Sequence, residues 1–319
     1  MRGMLVAGAL AACCGAGVWA QEYPLKPIRI VVAFAPGGPA DLVVRPVAQK
    51  LHEMLGQPVV IDYRAGANGV IGADMVAKSP PDGYTLLATT SSFTISPSTF
   101  AKLPYDTVKD FAPLSLTASS DIAFMVNPVV PARTLKEFIA VAKSRKSALT
   151  YGSSGTGGSL HLGAEMLKLA SGIDMLHVPY KGAILAMADV IGGHIDVMFI
   201  SVPPAIPQVK SGKLRALATA SAKRARGLPE VPTFAELGFA DFEVDSRYGL
   251  VAPAATPRDI VVKLSAAIMK ATQSADFKER YAGLGLEPIS STPEQFAEYI
   301  RKEITRWSKV VAAAKIKPQ

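Results

Sequence analysis

The chain has 319 residues, of which 49% are hydrophobic and 19% charged, and its net charge is +8. That length exceeds what one core usually supports, so two lobes are expected, and the apolar fraction excludes disorder as the overall state. Charges of both signs are dispersed, without a run of five like charges or a basic stripe carrying aromatic platforms, so a nucleic-acid partner is not expected.

Residues 1–20 read as a signal peptide. Arg2 supplies the positive start, Met4 to about Val18 the apolar stretch, and Val18-Trp19-Ala20 a small-residue cleavage site. Leu10-Ala11-Ala12-Cys13 also resembles a lipobox, which would tether the protein through a lipidated Cys13. Plain export to the periplasm is favoured, because Val18-Trp19-Ala20 directly precedes a mature-looking start at Gln21. Both cysteines, Cys13 and Cys14, fall in this segment, so the folded body has no disulfide and no cysteine metal site to offer.

The body alternates strand and helix patterns, which argues for an α/β architecture with largely parallel sheets. Strand Ile28–Phe34 runs through Ala35-Pro36-Gly37-Gly38-Pro39-Ala40-Asp41 into an amphipathic helix that reaches Leu55. Strand Val59–Tyr63 leads into helix Val70–Lys78, and strand Tyr84–Thr89 ends at the polar cluster Thr90-Ser91-Ser92. After strand Ile122–Val126 the grammar repeats. Helix Leu135–Ser144 precedes strand Leu149–Ser153, a Gly/Ser turn through Ser159, and helix Leu160–Ala170. Strands follow at Asp174–Val178, Ile195–Ile200 and Leu214–Ala218, with a helix near Leu185–Ile191 and a break at Val202-Pro203-Pro204. A strand within Glu243–Pro253 returns to the first lobe, and Pro257–Gln273 and Pro293–Val311 read as long amphipathic helices. The expected division is residues 22–123 plus 246–319 in one lobe and 124–245 in the other, with two chain crossings as a hinge.

The two strand, glycine turn, helix units carry the functional signal. Free N–H groups and partial positive charge at a helix start make a ready anion site, and ligands in open α/β sheets gather beyond the carboxyl ends of the strands. A carboxylate would use backbone donors around Gly37 to Ala40, with Ser154, Thr156 and Ser159 as hydroxyl donors from the other turn. Asp41 reads first as a helix-start residue that satisfies backbone donors, and alternatively as an acceptor for a ligand. Nucleotide-loop spacings and the G-x-S-x-G elbow are missing from the sequence. His52, His161, His177 and His194 form no i, i+3 or i, i+4 ligand pair, so no metal is expected. His161 either packs against the Gly/Ser loop or touches a ligand, and Tyr180-Lys181-Gly182 places a phenol or ammonium near the cleft or in solvent. No spacing points to a catalytic reaction.

An ordered set of short motifs carries a resemblance along nearly the whole body. It comprises Phe34-Ala35-Pro36-Gly37-Gly38 with Asp41 and Arg45, Gly66-Ala67 with Gly72, and Pro81-Asp82-Gly83-Tyr84-Thr85. Lys26-Pro27-Ile28, Gly152-Ser153 with Gly155, Val178-Pro179-Tyr180-Lys181-Gly182, Gly192-Gly193, Leu228-Pro229-Glu230-Val231-Pro232-Thr233 and Gly249-Leu250-Val251-Ala252-Pro253 complete it. The chain resembles the substrate-binding proteins of tripartite tricarboxylate transporters, often called the Bug family. The resemblance implies a type II periplasmic-binding-protein fold, two lobes closing on a small mono- or dicarboxylate, no cofactor and no catalysis. It also implies a monomer that serves a membrane transporter or, alternatively, a sensor, and a periplasmic enzyme on the same fold is the remaining rival reading. Carried over, the first lobe contributes Ala35, Gly37, Gly38, Ala40 and Asp41, and the second Gly155, Thr156, Gly157 and Ser159. Thr90, Ser91 and Ser201 are then wall residues. Ile200, where a polar residue is common, and Arg247, where an aromatic is common, mark the end that would set specificity. Arg247 would either grip a second carboxylate or point to solvent.

Overall fold

Ile28–Val32 forms strand β1, and its alternation sets the first lobe: Ile28, Ile30 and Val32 face one layer of helices while Val31 faces the other. This computed structural model describes residues 23–318 except 241 and 315. The expected signal peptide, with its cleavage after Ala20 or lipidation at Cys13, lies outside them. No helix among the described residues is long and apolar enough to cross a membrane.

In the first lobe β1 lies between β2 (Val59–Tyr63) and β3 (Thr85–Thr89), parallel to both, with Ile30 opposite Ile61 and Leu86. Helix α1 (Pro39–Leu55) covers one face with Val43, Val47 and Leu51, helped by α8 (Arg258–Gln273) through Leu264 and Ile268. Helix α2 (Val70–Ala77) covers the other face, where Val31, Val76, Leu87 and Phe93 meet. Burial on both faces is what makes β1 and β3 largely apolar, whereas the edge strand β2 is half-exposed and carries Asp62.

The second lobe repeats the plan. Strand β5 (Leu149–Ser153) runs parallel to β6 (Met175–Pro179) and β7 (Val197–Ser201), with α5 (Ser159–Ser171) and α6 (Ala183–Ile191) packed on the sheet. Helix α4 (Leu135–Ser144), capped by the Thr134 hydroxyl, completes the expected order.

Two long strands join the halves. β4 (Phe111–Val126) pairs antiparallel with β9 (Asp245–Pro253) over residues 111–121, then with β7 and β8 (Arg215–Thr219) over residues 122–126. The strand order reads β2-β1-β3-β9-β4 in the first lobe and β6-β5-β7-β4-β8 in the second, so each lobe has three parallel strands followed by an antiparallel crossing strand. This is the two-lobed type II periplasmic-binding-protein fold.

Two expectations change. Thr90-Ser91-Ser92 does not end an element in a loop; it opens α3 (Ser91–Thr99). Val202-Pro203-Pro204 is likewise no break but the first turn of α7 (Val202–Lys210), where a missing N–H and a fixed φ cost nothing. The C-terminal α10 (Pro293–Ala313) places Phe296 and Ile300 in the first-lobe core and Trp307 and Val311 in the second-lobe core, so it spans both. A short helix, α9 (Ala275–Gly283), and a two-residue strand, β10 (Glu287–Pro288), lie between α8 and α10.

Candidate functional site

Between β1 and α1 the chain turns through Gly37 at φ +77°, a left-handed value that favours glycine, and then Gly38 in extended conformation. Pro39 follows at the first helical position. The Gly37 N–H donates to Asp41 Oδ2 at 2.8 Å. Arg45 Nε donates to the same oxygen at 3.0 Å, and the Tyr63 hydroxyl donates to Oδ1 at 2.6 Å. Asp41 is only 2% exposed, and these three donors compensate its buried charge. The Tyr63 phenol is pushed up to about 12, first by burial and then by this bond. Asp41 therefore shapes the turn from beneath.

The second lobe builds the same turn from different chemistry. Gly157 has φ +79°, Gly158 is extended, and the Gly157 N–H donates to His161 Nδ1 at 3.0 Å. With Nδ1 accepting, neutral His161 carries its proton on Nε2. His161 stacks on His177 at 4.2 Å between ring centres, and His177 on Tyr151 at 4.8 Å. His177 Nε2 meets Ser153 Oγ at 2.7 Å, and that hydroxyl also accepts the Gly155 N–H. Burial is the main force holding both imidazoles below their ordinary value, His161 at about 4 and His177 at about 3.

The two turns face one cavity, partly open to solvent. The first-lobe wall is Phe34, Ala35, Gly38, Pro39 and Ala40, continued by Thr90 and Ser92. The second-lobe wall is Ser154, Ser159, Leu160, Gly182, Ala183 and Ser201, and β9 adds Ser246 and Tyr248. Five helices, α1, α3, α5, α6 and α7, have their first or N-capping residues in this wall. The first-turn N–H groups of a helix have no intrahelical acceptor, and the helix dipole adds partial positive charge there. The Ser201 hydroxyl lies 3.3 Å from Ser246 Oγ and 3.2 Å from the Tyr248 hydroxyl, which leaves spare donors and acceptors on the same wall.

Of the residues singled out from sequence, Ala35, Gly38, Ala40, Thr90, Ser154, Ser159 and Ser201 line this cavity. Gly37, Asp41 and Gly157 form the turns behind it. Gly155 has φ +140° and, with half-buried Thr156, lies in the second-lobe loop, where a Cβ on Gly155 would stand 3.2 Å from that of Asn68. Ser91 ties α3 to β9, accepting the Arg247 N–H at 3.0 Å and donating to Asp245 O at 3.2 Å. Arg247 itself is directed away. Its Nε donates to Asp245 Oδ2 at 2.9 Å and its guanidinium lies 5.1 Å from the Tyr299 ring centre. Strand alternation explains this: Ser246 and Tyr248 line the cavity, and Arg247 between them points to the α10 side. Ile200 is fully buried in the second-lobe core, and its neighbour Ser201 takes the wall position. Tyr180 bonds Asp189 and Lys181 is exposed, so only Gly182 of that motif reaches the cavity. Sequence reasoning missed Phe34, Ser92, Ala183, Ser246 and Tyr248. The period-2 pattern of β9 held the signal for the last two.

The lobes touch on both sides of the cavity, through glycines. A Cβ on Gly158 would stand 2.6 Å from Asn68 Oδ1, and one on Gly157 2.6 Å from Thr99 Oγ1. The Thr99 hydroxyl donates to Gly157 O at 3.2 Å. On the opposite side a Cβ on Gly182 would meet that of Ala35 at 3.2 Å.

Residues 43–316 match the model of the tripartite tricarboxylate transporter family receptor. The chain belongs to this family. It is 37% identical to protein BugT of Bordetella pertussis over 322 residues, 99% of each chain. The solved periplasmic binding protein BugD superposes with a TM-score of 0.90 at 32% identity, over 93% of this chain and all of that one. A protein of R. palustris solved with adipate gives the same TM-score, identity and coverage.

Proposed function

We propose that this family member is an extracytoplasmic solute-binding protein that captures a small carboxylate between its lobes. It delivers the ligand to a tripartite tricarboxylate-type transporter and catalyses no reaction. The lobes in this reading are residues 22–123 with 246–319, and residues 124–245. They hinge where β4 leaves the first sheet near Ile122 and where the chain re-enters it at Val244–Ser246. The convergence of five helix starts on one cavity between the lobes carries the reading. Backbone donors at α1 and α5 neutralise one carboxylate without a cationic side chain. The adipate carried by the R. palustris relative supports the ligand class.

Titration calorimetry of the purified protein against a carboxylate panel tests this, and saturable binding of at least one member is expected. No binding to any, together with turnover of a substrate, would overturn it. Gly38→Val is the site test. Gly38 has ordinary φ, and the added side chain would crowd Ala35 O at 3.3 Å and, across the cleft, Ile184 at 3.7 Å. Affinity should fall by roughly tenfold or more with the fold intact, since overpacking of this kind costs about 1–3 kcal/mol; unchanged affinity would remove this turn from the site.

A further inference from the structure

We infer that His161 is a positioning residue for ligand capture: as a neutral acceptor behind the second-lobe turn, it holds Gly157 so that the start of α5 faces the cavity. The inference rests on the carboxylate reading above and gives a part in it to a side chain outside the cavity wall. His161 is buried in the first turn of α5, and its Nδ1 accepts the Gly157 N–H at 3.0 Å.

The turn that His161 holds serves the cavity in two ways. The Leu162 N–H is bonded within α5, to Gly158 O at 2.9 Å. The N–H groups of Ser159, Leu160 and His161 ahead of it have no intrahelical acceptor, and Ser159 and Leu160 lie in the cavity wall. Gly157 also carries a bond between the lobes, since its carbonyl accepts the Thr99 hydroxyl at 3.2 Å. A glycine at φ +79° has many other shapes open to it. Fixing Gly157 therefore favours both the presented helix start and the closed arrangement of the lobes.

Packing alone is the competing account, because His161 stacks on His177. Three observations favour the acceptor. The first lobe puts Asp41 at the same third helical position, where Oδ2 accepts the Gly37 N–H at 2.8 Å, so a side chain without a ring makes the same bond. Charge is the second. Asp41 needs Arg45 and Tyr63 around it, whereas the cation facing His161, Lys168, is bonded to Glu165 and lies 3.5 Å from Asp174. Glu165 in turn accepts from Tyr151. A carboxylate at position 161 would be buried without a free cation and would oppose the field that α5 offers an anion; a neutral imidazole avoids both. Third, His177 Nε2 meets Ser153 Oγ, which accepts the Gly155 N–H at 3.2 Å, so the stacked rings reach the loop at Gly155 as well as Gly157.

Three variants separate the two accounts by calorimetry at neutral pH against adipate, malate and succinate, with melting curves to confirm folding. His161→Phe keeps a ring on His177 and removes the acceptor. His161→Asn removes the ring and keeps an acceptor at the reach that Asp41 shows to be sufficient. His161→Asp adds a charge to the same shape. For the acid that the native protein binds most tightly, His161→Asn should stay within about threefold of native affinity, while His161→Phe and His161→Asp should each lose roughly tenfold or more, the scale of one buried hydrogen bond or an uncompensated charge. Native affinity in His161→Phe, His161→Asn as weak as His161→Phe, or His161→Asp as tight as His161→Asn overturns the inference and leaves the carboxylate reading intact. Nitrogen NMR of the native ring tests it without any variant: a proton on Nδ1 at neutral pH overturns it. Binding of none of the three acids by the native protein counts against the carboxylate reading, and the inference falls with it.

Discussion

Asp41 and His161 occupy equivalent places: each accepts the N–H of the left-handed glycine four residues before it. The charges differ. Asp41 is an anion neutralised by Arg45 and a tyrosine, whereas His161 is a neutral ring in an aromatic stack facing Glu165 and Lys168. This difference has a pH consequence. The folded-state values of His161 and His177, about 4 and about 3, lie below the ordinary 6.5, so as the pH falls the unfolded chain takes up protons first. Their contribution to stability is therefore complete above about pH 6.5. It declines through the acid range and is lost as pH passes about 4 for His161 and about 3 for His177. Melting temperature recorded against pH should fall in this window, and His177→Phe, which keeps a ring in the stack, should flatten the slope. An unchanged slope would mean that His177 is not held neutral by the fold.

At the scale of elements, what was legible in the sequence was what local periodicity controls. β2, α4 and β5 fall at their expected bounds because their apolar spacing or capping residues decide them. α3 was not legible. Ser91–Thr99 has a proline inside it and little amphipathic character, yet nearly all of it is buried. Its hydroxyls bond back to the preceding turn, Ser96 to Ser92 O at 2.7 Å and Thr94 to Ser91 O at 3.0 Å. Tertiary packing makes this helix, and its start supplies Thr90 and Ser92 to the cavity. The first half of β4 was hidden for a related reason: its serines and proline break the apolar pattern while it lies between β9 and β10. The candidate site was legible in its two glycine turns and illegible in its far wall, where a one-residue alternation separates Ser246 and Tyr248 from Arg247. α10, by contrast, announces its own start. Thr292 and Gln295 form a reciprocal capping box, with both bonds present at 3.2 and 2.9 Å. Thr292→Ala should cost about 1 kcal/mol in denaturant unfolding, and a loss indistinguishable from zero would show that packing alone holds that end.

At the scale of the molecule, α10 is a third tie between the lobes beside the two crossing strands. Its first half packs with Phe296 and Ile300 in one core and its last turns with Trp307 and Val311 in the other. Arg306 also donates to Glu243 O, just before the chain re-enters β9. Any relative movement of the lobes must therefore bend, slide or partly release this helix, which favours a few discrete arrangements over continuous drift. Phe296 is tightly seated: a Cβ on Gly249 of β9 would stand 2.5 Å from its ring.

The glycine contacts across the cleft have a kinetic consequence. Gly158 has an ordinary φ, so alanine there needs no left-handed backbone; the three atoms nearest its methyl group would all belong to the Asn68 side chain of the other lobe, at 2.6 to 3.0 Å. In Gly158→Ala the approach of a ligand to the parted lobes is untouched, and the fraction of molecules able to shut over it falls. Apparent affinity scales with that fraction. Stopped-flow measurements should find the association rate constant nearly unchanged and the dissociation rate constant raised by roughly tenfold, the equivalent of about 1–2 kcal/mol of overpacking. Slower association with an unchanged dissociation rate would locate Gly158 on the path of entry instead. On the expected outcome, the row of missing side chains along the seam sets how long a captured molecule stays.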